Sequence, residues 1–582
     1  MRHQSLIKYI SRLWSHFTKV RKKQLSQALV LMILAAFAEV VSLGAVIPFL
    51  SVLSAPDVVF AHSLSQPIIS FLGIESPDQL VFPIVVLFVL AALLSGLIRL
   101  ILLFITTRIS VNVGTDIAVS AYNRTLYQNY SIHVERNSSK VINSIVTKSR
   151  AVVFLVLMPI LNLVSSIIIT FSILITLLLI SPNIALMLFF GFGMIYWLII
   201  IVTRKKLETN SVVIARESAA TIKSLQEGLG DIRDILIDGS QEFYRKNYYK
   251  SDKPLRRAQG NNVFIAASPR YVLETFGMVL IATIAYTMSQ EFGSLSLIIP
   301  TLGALAFGAQ RLLPILQQGY NALSSIRGSL ASLNDVLEML EVDLPRQLSK
   351  KNHSPIIFNK KLELNNINFR YASSDHWILE NLNLTLNKGE RIGIIGETGS
   401  GKSTLIDVII GLLPPDKGRI VIDNQTITGD NTRDWQKHIA HVPQNVFLAD
   451  KSIEENIAIG MLKKEINHVQ VRNAAQQAQI SNLIESWPEK YQTLVGERGG
   501  KLSGGQRQRI GIARAIYKQA EVIIFDEVTS SLDRKTESAV MDAIENLDSN
   551  LTIIIITHNI ITLEKCDSIY ELKGGKLDKY YN

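Results

Sequence analysis

A chain of 582 residues is too long for one compact core, so two or more domains are expected. Hydrophobic residues make up 48% and the mean hydropathy is +0.26, which points to a membrane protein, yet 19% of residues are charged. Both hold only if the apolar residues are concentrated, and nearly all the long apolar runs do lie in the first 330 residues. The single cysteine, Cys566, excludes an internal disulfide framework and a cysteine-built metal site. A formal charge of +10 would suit nucleic acid, but its placement says otherwise. Residues 1–24 carry seven Lys/Arg and no Asp/Glu just before the first apolar run. That is a basic flank of the kind held on the cytoplasmic side, too long and basic for a cleaved leader.

Six apolar runs, near 25–53, 81–107, 151–180, 184–203, 263–288 and 297–323, are long enough to cross ~30 Å of hydrocarbon. The connections 54–80, 181–183 and 289–296 contain no Lys or Arg, whereas 108–150 holds six and 204–262 holds twelve. This bias predicts cytoplasmic termini, short outer loops and two long inner ones. The inner loops are rich in helix formers, so the spans are expected to continue into the cytosol. From "LELNNINFRY" onward, strand-like runs ("RIGIIG", "GRIVID", "EVIIFDE", "LTIIIITH") alternate with helical patterns, predicting an α/β domain with a largely parallel sheet.

The stretch "GETGSGKST" is a complete G-x-x-x-x-G-K-[ST] loop between the strand RIGII and the helix STLIDVIIGL. Gly396, Thr398, Gly399, Ser400 and Gly401 let successive backbone N–H groups converge on phosphate oxygens. Lys402 adds a cation, Ser403 a hydroxyl ligand for Mg2+, and Thr404 continues the helix start, whose dipole favours an anion. "EVIIFDE" then reads as a buried strand delivering Asp526 and Glu527 at its end, one carboxylate to hold Mg2+ through water and the next to polarise an attacking water.

With "LSGGQRQR" between them, the chain resembles the ATP-binding cassette family over residues 362–580. The resemblance implies that Tyr371 stacks on adenine and that Gln444 senses Mg2+ and the membrane domain. It implies that Ser503, Gly504, Gly505 and Gln506 cap the γ-phosphate of a nucleotide held by a second copy. Asp533 fits the loop after the second carboxylate, and His558 the switch histidine. "TLVGERGG" resembles the exporter loop that touches the inner membrane loops. "LQEGLGDIRDILIDG" resembles a coupling segment, with Leu229, Ile232, Leu236 and Ile237 at helical spacing. Six spans ahead of one cassette is the exporter arrangement. The expected fold class is therefore an α-helical polytopic membrane domain (six transmembrane helices, type I exporter fold) fused to an α/β P-loop nucleotide-binding domain. The expected layout is 1–24 elbow segment, 25–325 transmembrane domain, 326–355 linker and 356–582 nucleotide-binding domain. The resemblance further implies a homodimer hydrolysing ATP with Mg2+, and no nucleic-acid partner.

Charges inside the spans raise the question of cargo. Glu39, Arg99, Arg270, Glu274 and Arg311 sit in otherwise apolar runs, where a charge costs ~2.5–3.5 kcal/mol on insertion scales. Counting helical rise, Arg99 lies about 27 Å from the outer end of its span, Arg311 about 20 Å, and Arg270 about 11 Å from the inner end. Two readings stand: snorkelling plus an Arg270–Glu274 pair, or a basic chamber in which guanidinium forks recognise phosphate. The first outer loop adds an apolar cluster (Ile68, Ile69, Phe71, Leu72, Ile74), readable as an interfacial helix or as loop packing. With the first span, "FAEVVSLGAVIPFLSVL", it resembles the branch of lipid-linked oligosaccharide flippases and polysaccharide-locus exporters. The expectation is ATP-driven export or flipping, across an inner membrane, of a lipid-linked glycan or other anionic lipid. The alternatives are a peptide or multidrug exporter and an ATP-gated channel or regulator.

Overall fold

The computed structural model describes residues 6–54, 56–61, 66, 69–70, 73–180, 182–292, 295–343, 355–371, 374–529 and 534–580. Contacts divide the chain into two units, Met1–Tyr127 with Arg136–Asp343, and Gln128–Glu135 with Leu344–Asn582.

The first unit is helical. Long helices run over Lys19–Gly44, Val81–Leu126, Met158–Ile180, Pro182–Gly230, Pro269–Phe292 and Leu295–Gly328. Among the described residues three segments are apolar and long enough to cross a membrane: Lys19–Leu53, Pro77–Leu126 and Ser138–Leu179. Val81–Leu126, at 46 residues, is about 69 Å long, more than twice the hydrocarbon thickness. Its surface inverts that of a soluble helix, with Phe82, Leu93 and Phe104 more than half exposed. The expected overrun of the spans is therefore present.

Three details depart from the sequence reading. Residues Leu330–Leu340, expected within a linker, form an amphipathic helix whose Leu333, Val336 and Leu337 are fully buried in this unit's core. The N-terminal helix Leu6–Ser15 joins the same core through Leu13, and Arg12 pairs with Glu341 at 2.7 Å. Part of the basic flank is thus bound to specific carboxylates; Arg21 likewise meets Asp116 at 2.8 Å. In the outer loop, Ile68, Phe71 and Leu72 lie outside the described residues. Ile69, by contrast, is buried against Val52 and Leu80, with Ile74 beside them. Ile69 and Ser70 are helical, and Ile69 turns inward, so a helical stretch is present here and packs on its neighbours.

The helix Gln241–Ala267 ends beside Ser268, and Pro269 opens the next helix. Proline has no N–H to return to the preceding turn. Next to this break, the carbonyl of Ala266 accepts from Nε2 of Gln317, 2.8 Å away on the last long helix.

The second unit contains two sheets. β1 (Lys361–Phe369), β2 (Leu379–Asn387), β4 (Lys417–Ile422) and β5 (Gln425–Thr426) pair antiparallel in the order β2-β1-β4-β5. β3 (Arg391–Ile395), β6 (Ile439–Val442), β7 (Val522–Asp526), β8 (Thr552–Ile556), β9 (Ser568–Lys573) and β10 (Lys576–Lys579) form the order β10-β9-β3-β8-β7-β6, parallel except for β10. The single largely parallel sheet expected from the sequence is thus two sheets, with "GRIVID" in the antiparallel one. The alternation separates them. β2 alternates buried with exposed or half-buried positions, whereas β8 is buried at every position, as a central parallel strand must be.

Candidate nucleotide site and membrane-domain cavity

Strands β6, β7, β8 and β3 are mutually parallel neighbours, so their C-terminal ends share one edge. Ligands in open α/β sheets bind at that edge. Register pairs Ile394 with Ile556, Asp526 with Ile556, and Val442 with Phe525. Four separate stretches of sequence are thereby brought together: the loop after β3, Gln444 after β6, Asp526 and Glu527 at the end of β7, and His558 after β8.

The loop after β3 is shaped for an anion. Gly401 has φ +103°, a backbone that side-chain-bearing residues rarely adopt, and it heads the helix Lys402–Ile409. A Cβ on Gly396 would lie 2.5 Å from Leu572 O and 2.8 Å from Ser400 Oγ. Ser400 Oγ is itself buried and has no hydrogen-bond partner among the described residues. Thr398, Gly399 and Ser403 are exposed at the loop crest and helix start. Thr404 is buried, its hydroxyl 3.1 Å from Tyr371 Oη. Lys402 is buried, and its ammonium donates to Gly396 O (2.7 Å) and Glu397 O (3.1 Å). The orphaned hydroxyl, the close backbone and the inward ammonium fit a polyphosphate.

Glu527 is the hub. Its Oε2 accepts from Gln444 Nε2 at 3.1 Å and lies 4.0 Å from His558 Nδ1, while Oε1 is 3.8 Å from Lys402 Nζ. Its φ of +47° is a left-handed turn, which ends β7 and swings the side chain off the strand line. Burial and then the Glu527 charge raise the Asp526 carboxyl above its usual range, and Lys402 opposes them. A divalent cation would suit such a pair of acids beside Ser403.

Two residues at the site escaped the sequence reading. Asp407, on the P-loop helix, is pushed up to about 6 by burial and by Asp526. His441, in β6, lies 4.0 Å from Asp526, and burial lowers its pKa. Neither belongs to a contiguous motif; only the strand order brings them to Asp526.

The signature stretch stands apart. Ser503 caps the helix Gly504–Tyr517 with Gln506 in a reciprocal box: Ser503 Oγ accepts from Gln506 N at 3.3 Å, and Gln506 Oε1 from Ser503 N at 2.9 Å. Ser503 is exposed and Gly505 buried. The helix is tied to the hub through Gln508, whose Nε2 donates to the backbone carbonyl of Gln444. Asp533 lies outside the described residues.

In the helical unit the three span arginines do not form one chamber. Arg311 Nη1 donates to Glu39 Oε1 at 2.7 Å, and Arg99 Nη1 is 3.6 Å from Glu39 Oε2. Arg270 pairs with Glu274 at 2.6 Å, as the four-residue spacing suggests. The sequence offered Arg311 no acid within a helical turn; its partner is 272 positions away, on the first span. Arg270 and Glu274 line a cavity of about 450 Å³ with Asn162, Tyr196, Gln317 and Asn321. Tyr196 also lines an apolar cavity of about 260 Å³ with Leu163, Phe171 and Phe192. In the second inner loop, Leu229, Ile232, Leu236 and Ile237 are all exposed around the short helix Ile232–Ile237.

The fold and the edge site define a membrane-embedded ATPase. The comparisons agree. Residues 379–530 match the ABC transporter family model. The chain is 27% identical over 581 residues to the heterocyst differentiation ATP-binding protein HepA of Nostoc sp., covering 97% of this chain and 91% of that protein. It is 28% identical over 396 residues to an ATP-dependent lipid A-core flippase of Alkalilimnicola ehrlichii, covering 67% and 66%. It is 30% identical over 358 residues to the putative multidrug export ATP-binding/permease protein YgaD of Bacillus subtilis, covering 60% of each. A bacterial Atm1-family ABC exporter solved with ATP bound shares the fold, with a TM-score of 0.78 at 22% identity over 96% of this chain and 95% of that one. The family-model match over 379–530 and the likenesses to these proteins support an ATP-hydrolysing ABC exporter half-transporter, the structural match adding the fold.

Proposed function

We propose that two copies of this chain, in a bacterial inner membrane, couple ATP hydrolysis to the export or flipping of an amphiphile with an anionic headgroup, such as a lipid-linked diphosphate glycan. The observation that carries the cargo reading is the cavity bearing Arg270 and several amide side chains, which shares the lining residue Tyr196 with an apolar cavity. An amphiphile needs both environments, and a guanidinium fork suits a phosphate. The lipid A-core flippase among the relatives supports the same class.

At the nucleotide site, Tyr371 would stack on adenine and the loop from Gly396 to Thr404 would hold the phosphates. Ser403, Gln444 and Asp526 would hold Mg2+, whose charge, when bound, offsets that of the phosphates. Glu527 would accept a proton from the water that attacks the γ-phosphorus, with the bridging oxygen leaving on ADP. Gln444 and His558 would orient that carboxylate. Ser503 to Gln506 would close over the nucleotide of the other copy, and Asp533 would follow Glu527 in the same loop. The exposed apolar residues of Ile232–Ile237 would dock on a cassette.

A second reading, drug or peptide export, gains support from the pairing of all three arginines with carboxylates and from the YgaD likeness. ATPase stimulation in lipid discs separates the two. A polyprenyl diphosphate should stimulate the protein and uncharged hydrophobic drugs should not; the reverse pattern sinks the anionic-cargo reading.

A further inference from the structure

Four amide side chains line the cavity of about 450 Å³ that bears Arg270: Asn162 on the helix Met158–Ile180, and Gln317, Gln318 and Asn321 on Leu295–Gly328. The backbone fixes which way two of them point. Ala266 O can only accept, so the group of Gln317 that meets it at 2.8 Å is the NH2, and Tyr196 Oη donates to the other end, Oε1, at 3.3 Å. The second Nε2 hydrogen goes to Asn321 Oδ1 at 2.8 Å. That leaves Asn321 Nδ2 as a donor with no partner among the described residues. Asn162 and Gln318 likewise have no hydrogen-bond partner among the described residues, and each offers donors and an acceptor. Beside them Arg270 Nε donates to Glu274 Oε1 at 2.6 Å. Glu274 Oε2 and the terminal nitrogens of Arg270 stay uncommitted among the described residues. A site for phosphate alone needs only donors, whereas this wall sets a carboxylate and amide oxygens among the donors.

We propose that this cavity reads the hydroxyls of a sugar joined to the cargo's phosphate, with Asn162, Asn321 and Glu274 as its specificity-determining residues. The inference rests on the anionic-cargo reading above and names the group that sits next to the phosphate. A sugar hydroxyl both donates and accepts, so a run of hydroxyls matches a wall that mixes the two roles. The Glu274 carboxylate accepts from one hydroxyl, Asn321 Nδ2 donates to another, and Asn162 serves either. Arg270 keeps its terminal N–H groups for the phosphate. Glu274 also sets a limit. It repels a second anion on its side of the guanidinium, so the group that settles there is neutral and hydroxylated.

The test titrates full-length protein in lipid discs with two lipids, a polyprenyl diphosphate carrying one hexose and the bare polyprenyl diphosphate, reading ATPase rate. The hexose lipid should half-stimulate the parental protein at an about tenfold lower concentration, a preference equivalent to ~1.4 kcal/mol. Asn162→Leu costs the fold no hydrogen bond among the described residues. It should cut that preference to about threefold or less while the bare lipid acts at its parental concentration. Asn321→Ala should narrow the preference in the same way. Glu274→Gln should narrow it from the other side, by letting the bare diphosphate act at a lower concentration, which a merely structural role for Glu274 would not do. A parental protein that responds equally to both lipids overturns the inference and leaves the cargo reading standing. A parental preference kept in full by Asn162→Leu and Asn321→Ala takes the sugar away from these residues and also overturns it. A parental protein unmoved by either lipid overturns the cargo reading and this inference with it.

Discussion

Gln444 donates its side-chain amide to Glu527 at 3.1 Å, joining the loop after β6 to the residue just past β7. The pairing fixes the carboxylate at the sheet edge beside Lys402. Glu527→Gln keeps the shape but removes the proton acceptor. Steady-state ATP hydrolysis should fall by about 10²–10⁴-fold, the usual contribution of a general base, while nucleotide binding persists. Turnover near the parental rate would mean that Glu527 is not the base.

Ser503 lies outside the P-loop, its hydroxyl committed to its own helix cap. Ser503→Arg should nevertheless abolish hydrolysis, because the bulky side chain blocks the approach of the signature to the other copy's nucleotide. Mixing Ser503→Arg with Lys402→Ala subunits leaves at most one intact composite site per mixed dimer. Full parental activity in that mixture, measured as phosphate release, would contradict a shared-site dimer.

Arg270 faces the polar cavity and Arg311 does not, so the two should behave differently. Arg270→Gln should leave basal ATPase near parental and cut diphosphate-lipid transport by tenfold or more, a lost charged hydrogen bond being worth ~1.5–3 kcal/mol. Arg270→Lys should rescue only in part, since an ammonium keeps the charge but not the fork. Arg311→Gln removes a cation from a buried carboxylate and should lower the melting temperature too. Normal transport by Arg270→Gln would remove Arg270 from the cargo site.

Burial and the neighbouring Asp526 push the Asp407 carboxyl up to about 6, above its ordinary value of 3.8. The folded state therefore binds more protons than the unfolded state between those values, and stability is lost as pH rises through them. Asp407→Asn cannot ionise. In nucleotide-free protein it should raise the melting temperature at pH 7.5, by about 2–4 °C per kcal/mol recovered, and the gain should shrink as pH falls toward 4. An equal gain at every pH would show that ionisation is not the cause.

Gly114 packs against Val153, and a Cβ there would lie 2.1 Å from Val153 Cγ2. Val153 opens a π-helical turn, Val153–Leu157, at this crossing. Gly114→Ala should destabilise the helical unit by ~1–3 kcal/mol of overpacking, although alanine is the better helix former. Adding Val153→Ala should recover most of the loss. If thermal unfolding shows Gly114→Ala to be neutral, the crossing is looser than drawn.

The nucleotide chemistry was legible because its parts are local. A phosphate cradle needs consecutive N–H groups, so "GETGSGKST" is contiguous, and a buried strand ending in two acids reads directly as "EVIIFDE". The apolar runs inside the long helices and the bias of Lys and Arg between their connections were likewise written in runs of residues. What the linear chain could not specify is which distant groups meet. Helices apolar on every face carry no periodicity to say which side turns inward, so the Glu39 contact with Arg99 and Arg311 was invisible. The strand order β3-β8-β7-β6 decided that Asp407 and His441 would join Asp526. Charges act across space rather than along the chain. In low-dielectric surroundings an arginine's meaning, anchor or cargo hook, depends on the carboxylate that tertiary packing places beside it.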